Sequence, residues 1–418
     1  MQEIQRDRYL EKLIRRKGNR QIKVVTGLRR CGKSYLLMNL FHRHLIESRV
    51  EPSHIIEIAL DDRVFKELRN PDAMLSAIRK RIADNGQYYI ILDEVQMMDE
   101  FEDVLNSLLH IQNADVYVTG SNSKFLSSDI ITRFRGRGDP IHVHPLSFKE
   151  FVSVYDGSLD EAWDDYMTYG GMPQVLDYTL PDDKADYLQR LMQQVYLRDL
   201  AERYRLRNDQ EFEELLDILA SSIGSLTNPT KLSATFKSVK QKTVSDKTIS
   251  SWLKCLEDVF LIHHAKRYDV KGKKYINTPL KYYFEDLGLR NARVNFRQQE
   301  ESHLMENAIY NELRMRGFQV DVGIVPIMEK ETKGTVIRKQ VEVDFVAGKG
   351  NRRIYIQSAM QMPDAEKMKQ EKRPFLHIKD AFQRMIVVRN NIKPRIDENG
   401  IITMGLPNFL LSEDDWAF

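Results

Sequence analysis

Residues 22–34 run Ile-Lys-Val-Val-Thr-Gly-Leu-Arg-Arg-Cys-Gly-Lys-Ser, and this stretch decides the fold of the first half of the chain. Ile22 to Thr26 is a short β-branched run, followed by a loop bounded by Gly27 and Gly32. Apolar periodicity then continues from Ser34 to His44, so the order is strand, loop, helix. Gly27-Leu28-Arg29-Arg30-Cys31-Gly32-Lys33-Ser34 fits G-x-x-x-x-G-K-[ST], the phosphate cradle of P-loop proteins. The glycines let backbone N–H groups close around phosphate oxygens, and the helix N-terminus adds its positive dipole end. The expected ligand is ATP. Lys33 is expected to reach the β- and γ-phosphates and Ser34 to coordinate Mg²⁺, with Tyr35 completing the nucleotide-binding set.

Outward from the cradle, further strands are expected at residues 54–60, 88–92 and 115–119, separated by helices at 71–84 and 101–109. Continuous apolar strands alternating with helices predict an α/β domain with a parallel sheet covered on both faces. The third strand, YYIIL, ends in Asp93-Glu94. That puts Asp93 in position to hold Mg²⁺ and Glu94 to polarise the attacking water. The fourth strand ends in Thr119-Gly120-Ser121-Asn122-Ser123. Asn122 or Ser121 is expected to orient that water, although the same residues suit a plain turn. Arg133, Arg135 and Arg137 follow in TRFRGRG. Arg137, and after it Arg133, is the candidate arginine finger for a neighbouring subunit's ATP, which implies a homo-oligomer. Cys31 lies at a helix N-terminus, where thiol pKa falls, so alkylation there is expected to block nucleotide binding.

At 418 residues, with 42% hydrophobic and 30% charged side chains, the chain has the composition of a multidomain globular protein. No apolar run approaches the roughly 20 residues of a membrane span. Two distant cysteines make a disulfide framework improbable. The charged N-terminus lacks an apolar signal core, so a cytoplasmic location without membrane contact is expected. Net charge is only +2, but between Thr227 and Tyr283 Lys and Arg outnumber Asp and Glu by twelve to four. Two helices around Leu232 to Phe236 and Ser245 to Leu256 precede two strands joined at Val270-Lys271-Gly272-Lys273. Helix-turn-helix plus a hairpin wing is a DNA-reading shape, with Lys247, Lys254, Lys271, Lys273 and Lys274 toward phosphates of double-stranded DNA. Winged helices also dock proteins, and that alternative stays open.

With these motifs in place, the chain resembles the AAA-type ATPases of bacteria and archaea that carry an uncharacterised C-terminal domain. The shared landmarks are GLRRCGKS, IILDEVQ, TGSNS, Arg137 with Pro145-Leu146-Ser147-Phe148-Lys149-Glu150-Phe151, Tyr169-Gly170-Gly171-Met172-Pro173, Tyr283-Phe284-Glu285-Asp286-Leu287-Gly288-Leu289-Arg290, and Glu342-Val343-Asp344-Phe345. The resemblance implies a P-loop core over residues 1–151, a helical lid over 152–222, a winged helix over 223–300 and a restriction-endonuclease-like α/β domain over 301–418. The Gly-Gly-Met-Pro segment is either a lid turn touching adenine or a helix stop. Glu306, Glu342, Asp344 and Gln357 resemble the PD-(D/E)xK nuclease layout, in which carboxylates hold Mg²⁺ and a lysine steadies water. Here Gln357 replaces an acidic ligand and Ala359 occupies the lysine position, so a degenerate, non-cleaving site is expected.

Overall fold

The computed structural model describes residues 3–120, 134, 136–197, 200, 204, 209–297, 300–330, 336–360 and 365–416. They pack as two compact units. The first comprises Met1–Leu146 with Asp258–Phe260, and the second Ser147–Glu257 with Leu261–Phe418. Among the described residues no helix is long and apolar enough to cross a membrane.

The first unit is built on five parallel strands: β1 (Ile22–Thr26), β2 (Ile55–Ala59), β3 (Tyr88–Asp93), β4 (Ala114–Thr119) and β5 (Gly138–His142). Their order is β2-β3-β4-β1-β5. Alternate residues on one face, including Val24, Ile58, Ile90, Leu92 and Val118, pack with Met74, Ile78, Val104 and Leu108 from the helices Pro71–Arg81 and Phe101–Leu108. On the other face Tyr117 meets Phe41 of the helix that follows the P-loop, with ring centroids 4.5 Å apart. Burial on both faces is why β1, β3 and β4 are apolar runs rather than alternating ones. β5 was not anticipated, because Gly-Asp-Pro has the composition of a loop. Pro140 is tolerated there because, among the described residues, β5 is an edge strand that pairs with β1 alone.

The second unit is organised around eight strands: β6 (Ile262–Asp269), β7 (Lys274–Phe284), β8 (Gln319–Lys330), β9 (Val336–Lys349), β10 (Arg352–Ala359), β11 (Gln383–Val388), β12 (Arg395–Ile396) and β13 (Ile401–Gly405). They form one sheet ordered β12-β13-β11-β10-β9-β8-β6-β7. The helices Pro229–Val239 and Asp246–Asp258 precede the β6–β7 hairpin, in the order expected. β6 then pairs in parallel with β8, so the sheet runs continuously across residue 300. The helix Glu301–Met315 is pinned to the end of β7 through Asn307, which exchanges two 2.8 Å hydrogen bonds with the Phe284 backbone. Asn311 adds 3.0 Å bonds to the carbonyls of Phe284 and Glu285.

Two sequence landmarks meet inside this unit. Gly170 ends the helix Leu159–Tyr169 at φ 71°, so the helix-stop reading of Gly-Gly-Met-Pro is the one observed. The turn also has a partner: Asp286 accepts the N–H groups of Gly171 at 2.7 Å and Leu289 at 2.9 Å. A Cβ on Gly288 would overlap the Tyr169 carbonyl, which is why glycine is required there. Complete burial pushes the Asp286 carboxyl up to about 6, against the pull of those backbone bonds.

Candidate nucleotide site

β1 is buried throughout and delivers Gly27 to the carboxyl edge of the sheet. Gly27 has φ 141° and its α-carbon lies against the Val143 carbonyl, leaving no room for a Cβ. Gly32, at φ 97°, starts the helix that continues through Lys33–Tyr35, Leu36–Phe41 and His42–Glu47, the middle stretch being more widely wound. The Lys33 ammonium is buried and donates to the carbonyls of Gly27 at 3.2 Å and Leu28 at 2.8 Å. Arg29, Arg30 and Tyr35 are exposed, and Leu28 is buried beneath the loop. Arg6 anchors the loop from the N-terminal segment, donating to Cys31 O at 3.1 Å and His144 O at 2.7 Å.

The expectation that Cys31 is an alkylation site is corrected. Its side chain is fully buried and its Sγ donates to Val143 O at 3.2 Å, so a reagent has no path to it in the folded loop.

β4 lies between β1 and β3, and this order places a β4 side chain between cradle and carboxylate. Asp93, at the end of β3, accepts the Ser34 hydroxyl at 3.0 Å. The same carboxylate oxygen accepts the Thr119 hydroxyl from the end of β4. Thr119 Oγ1 in turn accepts the Glu94 N–H at 2.9 Å. Glu94 adopts a left-handed conformation, φ 51° and ψ 47°, which costs a non-glycine residue energy and turns its side chain out of the strand's alternation. The Gln96 side-chain amide donates to its carboxylate. Burial raises the Asp93 carboxyl above the usual range, and the Thr119 and Ser34 hydroxyls oppose that shift. A hydroxyl and a buried carboxylate meeting beside a phosphate-shaped loop are hard oxygen donors of the kind Mg²⁺ takes.

A family model described as an AAA domain matches residues 19–152, and one described as a domain of unknown function (DUF8612) matches residues 160–300. An uncharacterized protein of Haemophilus influenzae is 31% identical over 390 residues, 92% of this chain and 93% of its own. The chain belongs to this family of AAA-type P-loop proteins. An uncharacterized protein of Methanocaldococcus jannaschii is 28% identical over 379 residues, 86% of this chain and 79% of its own. Among solved structures, the Aeropyrum pernix Orc1 protein in complex with DNA covers 70% of this chain and 92% of its own, at 13% identity and a TM-score of 0.30. Caenorhabditis elegans PCH-2 covers 60% and 65%, at 15% identity and a TM-score of 0.26.

Within the AAA domain, Gly27, Gly32, Lys33, Ser34, Asp93 and Glu94 come together as the sequence predicts. Asn122, with Ser121, Arg133 and Arg135, lies outside the described residues. Arg137 is exposed and does not join this site. Its neighbour Gly138 pairs with Ile22, at the amino end of β1, so the length of the strand, roughly 13 Å, separates it from the cradle. Sequence reasoning missed Thr119 and Arg6. Thr119 carried a signal, being a hydroxyl at the last position of a buried strand. Arg6 carried none, because its partners are 25 and 138 residues away.

The second carboxylate group also assembles. Glu306, Glu342 and Asp344 face one another, and with them stand two residues of β7. Lys281 Nζ lies 2.9 Å from Glu306 and 2.7 Å from Glu342, and Tyr283 donates its hydroxyl to Glu306 at 2.6 Å. Asp344 accepts the Ser358 N–H at 2.7 Å, while its own N–H reaches Gln357 Oε1 at 3.4 Å. Burial, then the neighbouring Glu306, holds the Asp344 carboxyl well above the usual range. The expected absence of a lysine is therefore corrected: Ala359 is buried without charge, but a lysine reaches the cluster from another strand.

Proposed function

We propose that the chain is an ATP-hydrolysing switch of the AAA type. The observation that carries this reading is the bond from Ser34 to Asp93 beside an intact cradle, joined by Thr119. ATP enters with its phosphates against the backbone N–H groups of residues 27–34. Lys33 exchanges its loop carbonyls for phosphate oxygens. Ser34 and Asp93 are the residues that would hold Mg²⁺, whose positive charge offsets that of the phosphates. Glu94, with its backbone fixed by Thr119, takes the proton of the attacking water, and Asn122 helps to orient that water. Arg137, remote from the cradle of its own chain, acts in trans on a neighbour's nucleotide in a homo-oligomer. A strictly monomeric sedimentation profile in every nucleotide state would leave Arg137 as a surface residue.

In this reading residues 152–222 serve as lid, 223–300 as a winged-helix module and 301–418 as a nuclease-like body, and hydrolysis resets them. Duplex DNA is the proposed partner. Lys247, Lys254, Lys273 and Lys274 are exposed, while exposed Lys271 donates to Pro326 O at 2.6 Å and is the least available of the five. Phosphate release with Mg²⁺, measured with and without duplex DNA, tests both halves. No release under either condition sinks the enzyme. Release that DNA does not change sinks the proposed coupling.

A further inference from the structure

The nuclease layout needs a divalent cation between its carboxylates and a free ammonium beside the attacking water. The cluster of Glu306, Glu342, Asp344 and Gln357 does not fit that requirement, because an ammonium of the chain itself already stands between two of its carboxylates. Lys281 reaches both Glu306 and Glu342 with one nitrogen. Tyr283 takes a further lone pair on Glu306, at the same oxygen. The Ser358 N–H occupies Asp344, and the Gln357 carbonyl faces the Asp344 N–H.

We propose that Lys281 is the resident cation of this cluster: its ammonium stands where a divalent metal would stand, and the site is closed to metal. The local structure enforces the arrangement. Lys281 and Tyr283 are two apart on β7 and so share a face, as do Glu342 and Asp344 on β9. Asn307 clamps its helix to the Phe284 backbone, which fixes the adjacent Glu306 over that face. The Lys281 side chain is 6% exposed, and Asp344 adds a third negative charge beside Glu306 and Glu342, so removing the ammonium would leave like charges facing one another. A lysine so held is also poorly placed for the lysine's catalytic part, since two of its three protons are directed at Glu306 and Glu342. The layout is thus kept as a binding or scaffolding surface rather than as a phosphodiesterase.

Mn²⁺ titration of the nucleotide-free full chain, followed by the electron paramagnetic resonance of free Mn²⁺, tests this directly. Wild type and Asp344→Asn are expected to bind identically, because Asp344 contributes no metal site. Lys281→Met should bind one additional Mn²⁺ at least about ten-fold more tightly than wild type, since an ammonium no longer repels it. The gain should vanish in Lys281→Met with Asp344→Asn. Should Lys281→Met fail to fold, Lys281→Gln, which keeps a hydrogen-bond donor, is expected to melt lower than wild type and to be restored by Mn²⁺. Mn²⁺ binding by wild type that is lost in Asp344→Asn overturns the proposal. So does Mn²⁺-dependent nicking of plasmid lost in the same variant, or the absence of any metal response in both Lys281 variants.

Discussion

Asp93 in the first unit and Asp344 in the second are both buried carboxyls raised above the usual range, yet their surroundings differ in kind. Asp93 is held by two neutral hydroxyls, Ser34 and Thr119. The second cluster contains an ammonium in hydrogen-bond contact with two of its three carboxylates. A site designed to receive a cation from solution orients its carboxylate with groups that leave the charge uncompensated. A site that carries its own cation has already spent that charge. Asp286 supplies a third arrangement, a buried carboxyl held by backbone N–H groups alone.

The comparison can be broken most forcefully at the cradle. Lys33→Ala is expected to abolish nucleotide binding, because the loop loses its one buried ammonium; a fluorescent ATP analogue that binds as before would remove the cradle from the argument. Glu94→Gln should retain ATP and slow phosphate release roughly 10²-fold or more, as loss of a positioned base does. Thr119→Val sharpens the comparison more finely. It leaves the charges intact and deletes the hydroxyl shared by Asp93 and the Glu94 backbone. Turnover is expected to fall about ten-fold with analogue affinity nearly unchanged, in keeping with the loss of a hydrogen bond to a charged group. Equal turnover would mean that neutral hydroxyls do not organise Asp93.

The mildest effect belongs to Asp286 and concerns stability. Its carboxyl keeps a proton to about pH 6 when folded, whereas the unfolded chain releases it near 3.8. Between these values the folded state binds more protons, so stability falls as pH rises. The advantage of wild type over Asp286→Asn in urea unfolding should therefore shrink by about 2 kcal/mol from pH 4 to pH 7. A pH-independent difference would show that backbone N–H groups alone keep the carboxylate ionised.

Legibility in the sequence followed the distance between partners along the chain. Residues 27–34 carry their whole meaning locally, since both glycines, Lys33 and Ser34 belong to one turn and one helix start. Asp93-Glu94 was legible because an apolar strand announces where its carboxyl edge falls. Thr119 needed the strand order, which puts β4 between β1 and β3 and cannot be deduced from β4 itself. Lys281 was hidden more deeply. It lay in a basic segment, where a surface lysine is the ordinary reading, and only the join of β6 to β8 folds that hairpin back onto the helix bearing Glu306. β5 escaped because Gly-Asp-Pro advertises a turn, while edge pairing with one neighbour tolerates it.

The position of Lys33 bears on the pace of the proposed reaction. Its ammonium is satisfied by the carbonyls of Gly27 and Leu28. In the proposed function, nucleotide capture would be an exchange of acceptors rather than the rescue of a stranded charge, and affinity would reflect the difference between two sets of bonds. The same berth awaits the lysine when phosphate departs. Product release in the proposed cycle would thus return the lysine to these carbonyls without passing through an uncompensated buried cation.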